Sequence, residues 1–345
     1  MEKINLKHLA DELHLSTSTV SRALQDSHQI STETKRRVME LAHKLDYVPN
    51  PHASSLGSRK SKTIAVVIPE VFDSYFAQAI NGIETVAQAH GYHVLIYLTH
   101  ESAQQEQAIL HAFQGGRVDG VLMSVSAETS STEHIEALQA QGVPVAFFDR
   151  AADGIETACV TTNDLESSYL ATRHLLDCGC TNLALLSISR QLSIGRQRIA
   201  GFQKALAEHG VAFEESAIID CTNDPEENYR IIRKALEARP RPDGLLVTVE
   251  LLTVSAYQAC YDLHLGIPAE VKVVSFSNSR SATILNPALT TISQPAFETG
   301  KTAATLLLKG LKNNNKALVA GQVVLPSLLN IRASTVGVPA ERLPV

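Results

Sequence analysis

The sequence predicts a small all-α helix-turn-helix head joined to an α/β body of two Rossmann-like lobes with parallel sheets. Three observations lead there. Residues 6–45 hold three short amphipathic helical patterns and no strand pattern. From Thr63 onward, apolar runs alternate with amphipathic stretches, the mark of parallel strands covered on both faces. That alternation lasts about 280 residues, more than one doubly wound sheet usually takes.

The elements follow in order. Leu6, Leu9, Ala10 and Leu13 fall on one helix face at i, i+3, i+4, i+7. After a break at His14-Leu15, Ser16 caps a second helix, Thr17 to Leu24. Ser31 caps a third, Thr32 to Leu45, with Val38, Leu41, Ala42 and Leu45 inward. Helix, tight turn, helix and a supporting helix make a helix-turn-helix. A small, polar linker follows. Within it Asn50 is a good N-cap, Pro51 suits the first helical position, and Ala53 to Leu56 can form one turn ended by Gly57. So short a helix needs a partner surface to form. Strands are expected at 64–68, 94–98, 120–125, 143–148, 183–188, 244–249 and 271–276. Helices are expected between them, such as at 76–90, 105–113, 165–176, 198–209 and 228–238. A cleft between two such lobes, at the carboxyl ends of their strands, is where a ligand is expected.

Composition narrows the function. The 345 residues are 44% hydrophobic and 19% charged, enough to pack sizeable cores. No apolar run nears the roughly 20 residues that span a bilayer, so no membrane association is expected. The N-terminus lacks the apolar stretch and cleavage site of a secretory signal. The five cysteines, Cys178-Gly179-Cys180 among them, lack the second Cys or His pair of a zinc site and read as reduced thiols of a cytoplasmic protein. No metal and no cofactor are expected. Net charge is −6, but residues 1–62 carry ten lysines and arginines against seven acids. A basic head on an acidic body suits a head that meets phosphates.

The residues also carry a resemblance. Ser16-Thr17-Ser18-Thr19-Val20-Ser21-Arg22-Ala23-Leu24 resembles the recognition segment of the LacI/GalR family of bacterial repressors, as does Leu45-Asp46-Tyr47-Val48-Pro49-Asn50-Pro51 with Ala53 and Leu56. Further matches are Asp119-Gly120-Val121, Phe148-Asp149-Arg150, Arg198-Ile199-Ala200-Gly201-Phe202, and Asn286 to Ile292 with Gln294-Pro295. The resemblance spans nearly the whole chain in the family's order. It implies a periplasmic-binding-protein-like body and a domain plan: residues 1–48 a DNA-binding head, 49–62 a hinge, and 63–345 an effector-binding and dimerisation domain. Within that domain, lobe 1 is placed at about 63–161 and 293–322, lobe 2 at about 162–292 and 323–345.

In the head, the second helix is expected in the major groove. Thr17 and Ser18 occupy the family's base-reading positions. Arg22, one turn later, contacts guanine or phosphate, unless it forms a plain surface salt bridge. Ser21, Thr19 and Ser31 are phosphate donors or caps, and Ser16 is a cap beside the DNA. The resemblance makes Leu56 the side chain that wedges between base steps in the minor groove, with Asn50 and Ala53 alongside. In the body it implies effector contacts at Tyr75, Phe76, Asp149, Arg198, Thr248, Glu250 and Ser277. Tyr75 and Phe76 either stack on a ligand or pack a helix start into the core. Asp149 is either a ligand acceptor or a turn former. Arg198 offers five fixed donors. Two departures stand out: Ser277 where many family members carry Asp, and Val249-Glu250 where many carry Asn-Asp.

The expected function is an operator-binding transcriptional regulator, a repressor controlled by a small-molecule effector and working as a homodimer on double-stranded DNA. The alternative is a periplasmic-type binding protein without DNA function. The head and the lack of a signal argue against it. An enzyme is not expected, since no dinucleotide fingerprint, phosphate loop, nucleophile elbow or metal-ligand spacing occurs.

Overall fold

A computed structural model describes residues 5–24, 26–47, 61–72, 74–312 and 318–336. The expected hinge residues Asn50, Ala53 and Leu56 lie outside the described residues. The chain divides into two compact units, Met1–Ser61 and Lys62–Val345.

The head is three helices, α1 (Leu6–Leu13), α2 (Thr17–Leu24) and α3 (Thr32–Lys44). Asn5 caps α1 through His8 N–H, and Ser31 caps α3 through Thr34 N–H. His14 takes φ 54° to close α1 and turn the chain toward α2. Leu9, Ala10, Val20, Ala23, Val38 and Ala42 form the core, with Leu13, Leu24 and Leu41 packed around it. Leu45, expected inward, lies just beyond α3 and is half-buried.

The body holds two six-stranded sheets. The first runs β11–β5–β4–β3–β1–β2, all parallel. Its members are β1 (Thr63–Ile68), β2 (His93–Leu98), β3 (Gly120–Met123), β4 (Val145–Phe148), β5 (Ala158–Thr162) and β11 (Gly321–Leu325). The second runs β12–β10–β9–β8–β6–β7 and is parallel except for β12. It comprises β6 (Leu183–Ser187), β7 (Ile218–Asp220), β8 (Gly244–Val247), β9 (Lys272–Phe276), β10 (Thr290–Ser293) and β12 (Leu328–Asn330). Helices cover both faces of each sheet. On the first, α4 (Ser74–Ala89) and α11 (Ala296–Lys312) share one core, and α5 (Ala103–Phe113) and α6 (Glu133–Ala140) share the other. On the second, α7 (Asp164–Asp177) and α8 (Ser193–Glu208) lie opposite α9 (Pro225–Glu237) and α10 (Leu251–Asp262).

The chain passes between the lobes three times, after β5, β10 and β11. Gln294 Nε2 donates to Thr162 Oγ1 at 3.0 Å, and Ser327 N donates to Asn163 Oδ1 at 2.8 Å, so the crossings are tied together. The last crossing differs from the expectation. The sequence puts the return to lobe 2 at about 322/323, but β11 stays registered on β5 through Leu325 opposite Thr162. Val323 and Leu325 pack on the first lobe's core, which holds the strand there three residues longer.

Candidate functional site

In the head, Ser16 Oγ accepts from Thr19 N at 3.1 Å and lies 2.8 Å from the hydroxyls of Ser18 and Thr19. Ser16 is therefore the cap of α2, and those two hydroxyls are engaged with it. Thr17 and Ser18 are exposed at the start of the helix, and Ser21 is half-buried. Ser31 Oγ is taken up by capping α3. Arg22 is exposed, and its guanidinium makes no ion pair or hydrogen bond with the described residues. Two cations of α3 differ: Arg36 reaches Glu33 and Glu40, and Lys35 reaches Asp26 at 2.7 Å. Arg22 is thus a cation left to solvent on the helix that carries Thr17 and Ser18.

The body contains a cavity of about 680 Å³. It opens where the strands of both sheets end. Glu101 follows β2, Asp149 and Arg150 follow β4, Thr248 and Glu250 follow β8, and Ser277 and Asn278 follow β9. Parallel strands end together, so the loops after them converge on one place. Tyr75, Phe76, Asp149, Arg198, Thr248, Glu250 and Ser277, the seven positions chosen from sequence, all line it.

Tyr75 and Phe76 belong to the buried core and also form cavity wall, their rings edge to face at 5.5 Å. Burial, reinforced by Asp149, holds the Tyr75 phenol well above its usual range, so it stays neutral. Asp149 is a turn former, at φ 63°, whose carboxylate lies against Ser124 Oγ (3.5 Å) and Arg150 Nε (3.7 Å).

Arg198 does not offer all five donors. Its Nε and Nη2 lie 2.8 Å from Asp164 Oδ1, Nη1 donates to the Thr248 carbonyl, and the guanidinium stacks 3.9 Å from the Phe276 ring centre. One N–H on each terminal nitrogen remains. Glu250 Oε2 accepts from Ser74 Oγ (2.6 Å), Ser277 Oγ (2.7 Å), Asn278 N (2.9 Å) and Ser279 N (3.0 Å). Ser74 belongs to the first lobe and the rest to the second, so one oxygen ties the lobes. Gln78 and Asn278 add a second tie, 3.1 Å between side-chain amides.

Sequence reasoning missed three contributors. Glu101 holds Arg150 Nη1 at 2.9 Å through both oxygens. Asp164 anchors Arg198, and Asn278 carries the second tie. Arg150 and Asn278 adjoin positions already singled out, and Asp164 sits immediately before the expected helix at 165. Position after a strand end or before a helix was the available signal.

A helix-turn-helix head followed by a two-lobed α/β body with a cavity at its strand ends is the build of a ligand-responsive DNA-binding regulator. The comparisons agree. Residues 5–50 match the family described as bacterial regulatory proteins, lacI family, and residues 172–335 match the periplasmic binding protein-like domain. Catabolite control protein A of Priestia megaterium is 27% identical, over 96% of this chain and 99% of its own. The transcriptional repressor PurR of Erwinia tasmaniensis is 29% identical, over 95% and 96%. The lac repressor dimer bound to operator and an anti-inducer superposes with TM-score 0.83 at 22% identity, over 97% and 99%. The chain belongs to the LacI/GalR family of transcriptional regulators and is a DNA-binding regulator, not an enzyme.

Proposed function

We propose that this chain is a cytoplasmic, homodimeric repressor whose operator affinity is set by a small-molecule effector bound between its lobes. The observation that carries the effector reading is the convergence of the seven sequence-selected residues on one cavity at the strand ends. Its size suits a small metabolite. Among relatives and neighbours, one is named a ribose operon repressor and another is a transcriptional regulator in complex with cellobiose. Both support a metabolite as the occupant.

For DNA, α2 enters the major groove with Thr17, Ser18 and Arg22 toward base edges and phosphates. Ser16, Thr19, Ser21 and Ser31 set the helix ends and approach the backbone. Asn50, Ala53 and Leu56 form the hinge contact, Leu56 as the minor-groove wedge. Working units are residues 1–48, 49–62 and 63–345. Among the described residues no helix is long and apolar enough to cross a membrane.

The test is a gel shift on operator fragments enriched from random sequence, with and without compounds that stabilise the body in a thermal-shift screen. Sequence-specific retardation that responds to such a compound supports the proposal. Binding that no stabilising compound alters refutes effector control.

A further inference from the structure

We infer that the cavity takes an effector with no anionic group: an uncharged or cationic metabolite presenting hydrogen-bond donors, not a phosphate ester or a carboxylate. This builds on the cavity being the effector site.

The wall carries the carboxylates Glu70, Glu101, Asp149, Glu226 and Glu250, against the guanidiniums of Arg150 and Arg198. Both cations are already matched. Arg150 faces Glu101 at 2.9 Å and Arg198 faces Asp164 at 2.8 Å, and both pairs are mostly buried. A phosphate or carboxylate would therefore meet a surplus of like charge, and would have to compete with a built-in carboxylate for either arginine. Like charges brought together in a partly desolvated cleft oppose binding.

The same wall suits donors. The four hydrogen bonds that Glu250 Oε2 accepts come from hydroxyls and backbone N–H groups. They solvate the carboxylate without cancelling its charge. Its Oε1 accepts no hydrogen bond from the described residues, so a hydroxyl or amine of a ligand has an acceptor there. The two remaining N–H groups of Arg198 suit a neutral oxygen of the ligand. Phe72, Leu192 and Val254 supply apolar wall for the rest.

The full chain is tested by thermal shift against a bacterial small-molecule extract, split at pH 7 on a strong anion exchanger. Matched probes run alongside: D-ribose with D-ribose 5-phosphate, and adenosine with adenosine monophosphate. The stabilising activity is expected in the unretained fraction, with any phosphorylated probe binding at least about tenfold more weakly than its parent. Activity confined to the retained anions overturns the inference. Stabilisation by neither fraction overturns instead the reading of the cavity as an effector site. Two variants address the cause. In Glu250→Gln, and separately in Glu226→Gln at the exposed rim, stabilisation by the retained fraction should rise above wild type. If it rises in neither, the carboxylate wall does not set the selectivity and the inference fails.

Discussion

Arg22 and Arg198 are placed in opposite ways, and the difference fixes what each substitution does. Arg22 stands exposed with no carboxylate partner among the described residues. Its removal leaves no buried charge behind. Arg22→Ala is expected to cost about 1–3 kcal/mol of operator affinity per half-site, with effector affinity intact. Gel shift and thermal shift on the same variant check this, and a matching loss of effector affinity would refute the assignment. Arg198 is buried against Asp164, Thr248 and Phe276. Arg198→Ala strands a buried carboxylate and is expected to cost about 3–5 kcal/mol of body stability as well as the effector response. Arg198→Lys keeps the charge but loses the fork, so it should stay folded and respond weakly. A normal response in the lysine variant, measured by operator release, would remove Arg198 from the cavity's working groups. At this scale the sequence showed more of the cavity's wall than of its wiring. The seven cavity positions came from the family resemblance; six of them follow a strand end or begin a helix, and Arg198 lies in the second turn of α8. Glu101, 49 residues from the Arg150 it holds, was not readable, because β1 and β3 lie between β2 and β4 in the sheet and only the folded loops beyond the strand ends bring the two side chains together.

Most strands were legible where burial is total; β2 was legible from its apolar run although it is largely exposed. β1, β3, β4, β6, β8 and β9 are almost entirely buried, so they read as apolar runs. β5 (Ala-Cys-Val-Thr-Thr) and β10 (Thr-Thr-Ile-Ser) are equally central but carry hydroxyls used in hydrogen bonds, Thr162 to Gln294 at a crossing and Thr290 to Thr335 within the second lobe, which broke the pattern. Helix α10 shows no single apolar stripe, because apolar residues run all round it, with Leu252 and Ala256 buried while Val254 and Tyr261 are exposed. Helix α11 hides its constraint in a glycine. A Cβ at Gly300 would overlap the Ala79 carbonyl of α4, and one at Gly82 would overlap the Phe297 carbonyl of α11. The two helices therefore approach backbone to backbone. Gly300→Val is expected to lower body stability by about 1–3 kcal/mol, read as a shifted urea midpoint. Gly321→Val, where an added Cβ meets nothing within 4 Å, is the control. Equal effects would contradict the packing argument.

For the molecule as a whole, acidification and assembly are the two levers. Burial holds the His174 imidazole below its usual range, with Asp177 opposing that shift, while its Nε2 pairs with Thr335 Oγ1 at 2.8 Å. A histidine depressed on folding binds its proton more readily when unfolded, so its stability contribution is full above about pH 6.5 and falls as pH drops through that value. The body's melting temperature should decline from pH 7.5 to 5.5, and less steeply in His174→Gln; an identical slope in both would exclude this histidine as a source. Assembly follows from the head and the surface together. One helix-turn-helix reads one half-site, so a specific operator complex calls for two copies related by a twofold axis. The surface supplies candidates for that contact. β2 is an edge strand with Leu95 and Ile96 exposed, and lobe 2 leaves Tyr261 and Ile284 each 81% exposed. Large apolar side chains in such positions on both lobes suit a contact that runs along the whole body. A unit holding both lobes of two copies would feel any change in the angle between lobes, and Glu250 and Asn278 are where that angle is tied. Sedimentation at micromolar concentration should give a dimer. Ile96→Asp combined with Tyr261→Asp should give a folded monomer whose operator affinity falls by orders of magnitude, because each half-site is then bound alone. Its effector-induced thermal shift should remain, since neither residue lines the cavity. A wild-type chain that sediments as a monomer and still binds its operator tightly would refute the dimer.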